Sequence, residues 1–438
     1  MERKILIIAY HFLPLTTAGS FRIHDWAKYL KRFGWYPIIL TRHWSPATKY
    51  PWETNESTLS REVAQDIKCL VYRTRYKQAY QSIWNLRARL TEDKSPSRVK
   101  AAFRKMLSYM LRNFLLLPDE YIGWRSTAYK AGCDIMNEHH IDAILATGMP
   151  WTSFLVANDL SRKNKVPWVA DYRDPWTQPT TLGIKKEYAV VFMRNRLLEK
   201  RIMKQASSLI HISEPLQKGL RKYLNLDVHL IPNGYDPDLF AGFRSCKPGR
   251  SVFFISFVGT LHTNTNPYVF LEGFRYFVEQ FSLSPETCRL SFTGSGFWHL
   301  EKEYRFFGDI RPLVNFEGNL SHEEALKRMH KAHVLLSFPL DMDGCIPAKT
   351  YEYIASGRPI LVSPDGKYRG AIRNLLEMTK AGIILNSPKE ISSWLGIKYR
   401  EFQKTGEVRS CAGMKAVDKF SREKQTEKLA SILNVLSR

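Results

Sequence analysis

Long apolar runs are missing from this 438-residue chain. A membrane-crossing helix needs about 20 mostly apolar residues, and stretches such as Ile5–Tyr10 and Phe114–Leu117 fall far short. Met1-Glu2-Arg3-Lys4 and only six apolar residues before His11 make too short a core for a secretory signal. Cysteine is scarce. The six residues, Cys69, Cys133, Cys246, Cys288, Cys345 and Cys411, are far apart and form no Cys-x-x-Cys pair. Reduced thiols are expected, and no His/Cys cluster has zinc spacing. His139-His140 are adjacent, which is wrong for a shared helical face. There is no Walker A sequence, and Gly294-Ser-Gly296 falls short of a dinucleotide fingerprint. Repeats and low-complexity tracts are also absent from the sequence. Acid is in deficit, with Asp+Glu 42 against Lys+Arg 65 and a formal net charge of +23. That excess points to an anionic partner: nucleic acid, a membrane surface or a phosphorylated substrate.

Core material is ample, at 44% hydrophobic and 13% aromatic, so a disordered chain is excluded. Lys4–Tyr10 reads as a fully buried parallel strand. Ile23, Trp26, Ala27, Leu30 and Phe33 then recur at helical spacing, and Gly34 is a natural stop before a second strand, Trp35–Thr41. After a helical, basic stretch the alternation resumes with strands at Ile141–Thr147, Pro167–Asp171, Ser208–Ser213 and Val228–Pro232. A second series begins near Val252, with strands at Phe253–Val258, Arg289–Thr293, Leu313–Phe316, Val334–Phe338, Pro359–Val362 and Gly382–Leu385. Helical patterns at Pro267–Phe281, His322–Lys331 and Pro347–Ser356 separate them, and Ala241–Arg250 reads as the linker. Strands alternating with helices predict an α/β protein of two doubly wound lobes, with parallel sheets covered on both faces and a cleft between the lobes.

The segment Gly344-Cys-Ile-Pro-Ala-Lys-Thr-Tyr-Glu-Tyr-Ile-Ala-Ser-Gly-Arg-Pro-Ile360 is the most informative. Pro347 suits a first helical position and Gly357 the position after the last turn. The helix is short, and its amino end at Gly344–Pro347 offers N–H groups to phosphate. Lys349 and Glu352 share a face. A cation for phosphates and a carboxylate for ribose hydroxyls suit a nucleotide; the plain alternative is a solvated surface pair. Arg173, just past a strand end, is permanently charged and bidentate, suited to phosphate or carboxylate. Asp171 and Asp174 flank it, and the alternative is an internal Arg–Asp clamp. Asp174 is placed to position an acceptor hydroxyl or act as a weak base. Gly19, between the first strand and helix, lets backbone approach a pyrophosphate, or simply serves a turn. His211 reads as a buried, satisfied histidine, and His11 as the one nearer the cleft.

These residues carry a resemblance. Pro347-Ala-Lys349-Thr-Tyr-Glu352-Tyr353 with Ala355-Ser-Gly357-Arg-Pro359-Ile360 resembles the donor-binding helix of glycosyltransferase family 4 and its GT-B relatives, the group 1 glycosyl transferases. In order along the chain, Phe12-Leu-Pro14 through Gly19-Ser-Phe-Arg22, Trp168–Trp176, Ser213-Glu-Pro-Leu, Ile231–Asp236, Phe257-Val-Gly-Thr-Leu261, Phe292-Thr-Gly-Ser-Gly296 and Phe420-Ser-Arg-Glu are similar to further family segments. The resemblance implies a GT-B fold with an amino-terminal, acceptor-side Rossmann-like lobe (1–240). It also implies a nucleotide-sugar donor lobe (241–415) and a helix returning to the first lobe (416–438). It implies a retaining, metal-independent, hexosyltransferase-type enzyme with a nucleotide-sugar as co-substrate and no resident cofactor. Donor contacts would come from Gly19, Gly259, Thr260, Gly344, Ile346, Pro347, Lys349 and Glu352, and catalytic ones from Arg173 and Asp174. There are departures. Gly344 stands where many members carry the first carboxylate of a Glu-x7-Glu pair, leaving the sugar contact to the backbone of the Gly344–Pro347 turn. Thr260, His262 and Asn264 occupy the places of a usual basic pair, and Arg173-Asp174 that of a frequent His-Asp.

The basic residues concentrate in the first lobe. Residues 73–130 hold thirteen Lys/Arg against four Asp/Glu, a net +9, and 185–205 hold seven against two, a net +5. Within the first window, Arg98–Leu117 has the profile of a basic amphipathic helix suited to anionic lipid, or of a helix packed on the lobe. No RNA- or DNA-binding module is present, so nucleic acid is not the expected partner. The expectation is a peripheral enzyme at the inner face of the cytoplasmic membrane. It would transfer sugar to a polyprenyl-diphosphate-linked glycan in lipopolysaccharide or exopolysaccharide synthesis. The competing expectation is a non-catalytic interaction protein with a degenerate site.

Overall fold

Strand β1 (Arg3–Ile8) carries a continuous apolar run, and Ile5 to Ile8 are wholly buried, so the strand is covered on both faces. The structure, a computed structural model, describes residues 2–44, 59–77, 103–104, 106–107, 110, 116–178, 189–243, 245–261, 265–297, 300, 308–339, 344, 346–364 and 370–437. The chain divides into two compact units: residues 1–232 with 425–438, and residues 233–424.

In unit 1, helix α1 (Ala18–Leu30) leads to β2 (Trp35–Arg42) through a tight turn that Gly34 ends at φ 79°. Strands β3 (Ser60–Ala64) and β4 (Cys69–Thr74) follow. Then come α2 (Arg125–Glu138), β5 (Ala143–Gly148), α3 (Thr152–Asn164), β6 (Trp168–Tyr172), α4 (Ala189–Met203), β7 (Ser208–His211), α5 (Glu214–Leu224) and β8 (Val228–Leu230). The sheet runs β3-β4-β2-β1-β5-β6-β7-β8. All its pairings are parallel except β3 with β4. That edge corrects the expectation of a wholly parallel sheet, and β3–β4 occupy part of the stretch expected to be helical and basic. Arg61, Glu62 and Val63 of β3 are exposed, as an edge strand allows, so no buried run marks it in the sequence.

In unit 2, α6 (Pro237–Ala241) precedes β9 (Phe253–Thr260), α7 (Tyr268–Phe281), β10 (Cys288–Ser295), β11 (Val314–Glu317), α8 (His322–Lys331), β12 (Val334–Ser337) and α9 (Ala348–Ala355). Strand β13 (Ile360–Val362), α10 (Ile372–Thr379), β14 (Gly382–Ile384), α11 (Pro388–Thr405) and α12 (Met414–Asp418) complete it. The six-stranded sheet is wholly parallel, in the order β11-β10-β9-β12-β13-β14. Each strand of the second series lies within three residues at either end of its sequence expectation. Residues 241–250 fall inside this unit.

Helix α13 (Arg422–Leu436) begins at the end of unit 2, and its body packs on unit 1. Leu429, Ala430 and Leu433 are buried with Ile5, Ile7, Trp35 and Ile231. The indole N–H of Trp35 donates to Asn434 Oδ1 at 2.9 Å, and Arg3 donates to Ser437 Oγ at 3.0 Å. Both sheets have apolar clusters on two faces, so each unit owns its core. No described helix is long and apolar enough to cross a membrane.

Candidate functional site

In unit 1, β1 is flanked by β2 on one side and β5 on the other, so the strand order reverses between β1 and β5. Open α/β sheets bind ligands past the carboxyl ends of such strands. The loops that leave β1, β5 and β6 there carry His11, Met149 and Arg173. Arg173 is half-buried and lies directly on Gly19: a Cβ at Gly19 would sit 1.5 Å from Arg173 Nη1. A side chain at 19 would therefore displace the guanidinium from this position. Arg173 also donates through Nη2 to the Met149 carbonyl, and its buried Nε has no partner among the described residues.

Asp171 does not clamp Arg173, which corrects that alternative. It faces inward and pairs with Arg22 at 3.0 Å, both side chains wholly buried. Arg22 also donates to the carbonyls of Ile231 and Pro232 at 2.9 Å, and Thr147 donates to Asp171 at 3.1 Å. With every charge met by hydrogen bonds, the pair joins α1, β5, β6 and the end of β8. Asp174 is left exposed beside Arg173. His11 packs among Tyr10, Trp44 and Tyr121; burial, then the charges of Arg173 and Arg42, push its pKa down to about 3, so the ring is neutral. His211 is wholly buried and accepts from the Ile212 N–H, but its Nε2 has no partner among the described residues, so it is satisfied there on one side only.

The loop carrying Arg173 is held from behind by α4. Tyr172 donates to Glu199 at 3.0 Å, Thr177 donates to the other oxygen of Glu199, and the Trp176 indole donates to Asn195 at 3.1 Å. Burial pushes Glu199 up to about 7 against the pull of those hydroxyls. Trp176 also stacks on Trp151 of the loop after β5, with ring centres 5.5 Å apart.

In unit 2, the order reverses between β9 and β12. Gly259 and Thr260 end β9, in register with Gly294 and Ser295 of β10. The strands approach closely: a Cβ at Gly294, whose φ is 127°, would lie 2.1 Å from the Gly259 carbonyl. Thr260 and Ser295 hydroxyls are 3.1 Å apart. Helix α9 is tied to the same strand by Tyr353, whose hydroxyl accepts from the Val258 N–H at 2.8 Å and donates to the Val258 carbonyl at 3.1 Å. Pro347 is the residue before the helix rather than its first turn: its φ of −54° suits a helix, but its ψ of 133° is extended. No described side chain caps this end; the Thr350 N–H bonds the Pro347 carbonyl at 2.9 Å, and the N–H groups ahead of it face the start of the helix, where a ligand anion would sit. Gly357, at φ 71°, follows the last turn as expected.

Lys349 and Glu352 meet directly, Lys349 Nζ to Glu352 Oε2 at 2.6 Å. The other carboxylate oxygen lies 3.0 Å from His322 Nε2. Burial raises the Glu352 carboxyl, but the Lys349 charge and the His322 hydrogen bond outweigh it and hold the pKa at about 2. His322 is the residue that sequence reading missed. Its signal was the capping box Ser321–Glu324, in which each side chain bonds the other's backbone N–H and fixes the start of α8. In unit 2 the structure brings Lys349, Glu352 and His322 into contact, and Tyr353 ties their helix to Val258, one residue before Gly259 and Thr260; Ile346 and Pro347 lead into that helix, and Gly344 has a left-handed φ of 97°. The structure gathers Gly19, Arg173 and Asp174 in unit 1. His262 and Asn264 lie outside the described residues, as does most of the Arg98–Leu117 segment. Among the described residues no group of three His, Cys, Asp or Glu is placed to hold a metal ion.

No protein-family model matches the sequence, and neither does any curated protein. Solved structures do match, over the whole chain. The chain is similar to Anabaena HepE in complex with UDP and glucose, at 13% identity and a TM-score of 0.59, covering 99% of each chain. It is similar to a glycosyltransferase from Rickettsia africae at 10% identity and TM-score 0.58, covering 99% of this chain and 98% of that one. A UDP-forming α,α-trehalose-phosphate synthase from Burkholderia xenovorans matches at 12% identity and TM-score 0.59, over 100% of both chains. At such identities the likeness is one of architecture, and it agrees with the two strand orders above: the chain has the GT-B fold.

Proposed function

We propose that the protein is a glycosyltransferase, taking a sugar from a nucleotide-sugar held by unit 2. The observation that carries this reading is Glu352. It is an ionised, nearly buried carboxylate on α9, the helix that Tyr353 ties to the end of β9, near a helix start that no described side chain caps. A carboxylate so placed accepts ribose hydroxyls, while Lys349 and the first-turn N–H groups meet the diphosphate. The whole-chain likeness to proteins solved with UDP-containing ligands supports the same donor class. Arg173 and Asp174 are assigned to acceptor and transition-state charge, with transfer retaining, metal-independent and without a resident cofactor. In such a transfer the leaving diphosphate takes the acceptor proton. The acceptor is assigned as a lipid-linked glycan at the anionic inner face of the cytoplasmic membrane, in line with the basic windows of unit 1. One observation favours a non-catalytic protein on the same scaffold: Gly344 replaces the carboxylate that many members use on the donor sugar.

The test is nucleotide release from UDP-, GDP- and dTDP-sugars, with and without a polyprenyl-diphosphate glycan. One donor is expected to be turned over, and Glu352→Gln to raise its KM at least about tenfold, the loss of about 1.4 kcal/mol of binding. Unchanged kinetics in both Glu352→Gln and Lys349→Ala would remove the site. Absence of both turnover and donor-induced thermal stabilisation would favour the non-catalytic protein.

A further inference from the structure

Helix α4 has two faces with different occupants. Inward, Asn195 and Glu199 hold the Tyr172–Thr177 loop, and Ile202 and Met203 enter the core. Outward, Val190, Met193 and Leu197 are 51%, 63% and 70% exposed. Their spacing of three and four residues puts them in one stripe. Single exposed apolar side chains are ordinary. This stripe is distinguished by its flanks. By helical rotation Arg194 and Arg201 lie on one side of it and Lys200 on the other, while Lys204 follows in line just past the end of the helix; Arg201 and Lys204 are exposed. The only acid from 189 to 204 is Glu199, and it is wholly buried on the opposite face. The outward face of α4 is therefore apolar in the middle and cationic at both margins, and residues 189–204 place no carboxylate on it.

We propose that this face of α4 is a docking surface for an anionic phospholipid bilayer. The aliphatic stripe enters the boundary between headgroups and acyl chains, and the cations meet the phosphates beside it. Charge complementarity selects this occupant. A second copy of the chain would set the same cations against each other across a twofold axis. A nucleic acid would find no exposed aromatic in the stripe to stack on. A second line at the same spacing, Phe103, Met106 and Met110, is also exposed in unit 1, at 60%, 53% and 48%. Because α4 clamps the loop bearing Arg173 and Asp174, the bilayer contact and that loop share one rigid helix. The inference deepens the membrane-side reading given above and rests on it. Its test needs no donor and no turnover, so the two can fail separately.

The test is flotation of the full-length protein with phosphatidylcholine vesicles, with and without phosphatidylglycerol. Two variants act on the two halves of the surface: Met193→Asp with Leu197→Asp, and Arg201→Glu with Lys204→Glu. All four side chains are exposed, so thermal unfolding should match the parent, and the independent pairs guard against a folding defect in either. Binding is expected only with phosphatidylglycerol, weakened by added salt, and at least about tenfold weaker in each variant. Parent-like binding by both variants overturns the proposal. So does equal binding of the parent to pure phosphatidylcholine. Loss of self-association or of single-stranded DNA binding in the variants, with vesicle binding intact, would assign the face to a second copy or to nucleic acid instead.

Discussion

At the scale of single residues, charge placement distinguishes the two ends of the sheets. Arg22 and Asp171 neutralise each other out of reach of solvent, which leaves Arg173 as the guanidinium at the loop surface. Gly19 is legible in sequence as a glycine that lets something approach closely, but the approaching group is that guanidinium. A sequence does not say which of two nearby arginines an aspartate takes, because the choice depends on the β6–α1 packing. Glu352 shows the opposite balance. Its folded pKa of about 2 lies below the ordinary 4.5. The ionised form is thus favoured by folding, and its contribution is full above about pH 4.5 and lost as pH falls towards 2. In urea titrations the parent should exceed Glu352→Gln in the stability of unit 2 by at most about 3 kcal/mol near neutral pH, the two converging below about pH 3. A pH-independent difference would show that the charge is not the cause.

At the scale of elements, one hydroxyl sets the position of α9. Tyr353 is buried and bonds both backbone groups of Val258, so the helix start and the end of β9 move together. Tyr353→Phe leaves a buried N–H without that acceptor and should cost about 1–3 kcal/mol. Chemical unfolding should show the shift as a lower midpoint with an unchanged slope. Much of this was readable in advance. Gly357 marks the end of α9, and the α8 boundaries match because a capping box and a terminal cluster of Arg328, His330 and Lys331 punctuate it. The inner strands of the second sheet, β10, β9, β12 and β13, were readable because they are apolar and largely buried. Edge strand β3 was not, since its side chains face water and imitate a loop. The pairing of His322 with Glu352 was also hidden, because the two lie thirty residues apart on different helices.

At the scale of the molecule, unit 1 is built from two pieces of chain and unit 2 from one. The second piece of unit 1 is α13, and Leu433 is its wholly buried anchor. Leu433→Ala should cost about 2–5 kcal/mol. The loss should fall on unit 1 alone, read by hydrogen exchange at Ile5–Ile8 against Phe253–Phe257. Equal loss of protection in both sheets would mean that they unfold as one. The discontinuity has a consequence for how the protein is made. On a ribosome, residues 233–424 emerge as a complete unit while the segment that closes unit 1 is still to be translated. The part begun first is therefore the part finished last, and until α13 arrives the groove over Ile5, Ile7 and Ile231 waits open to chaperones.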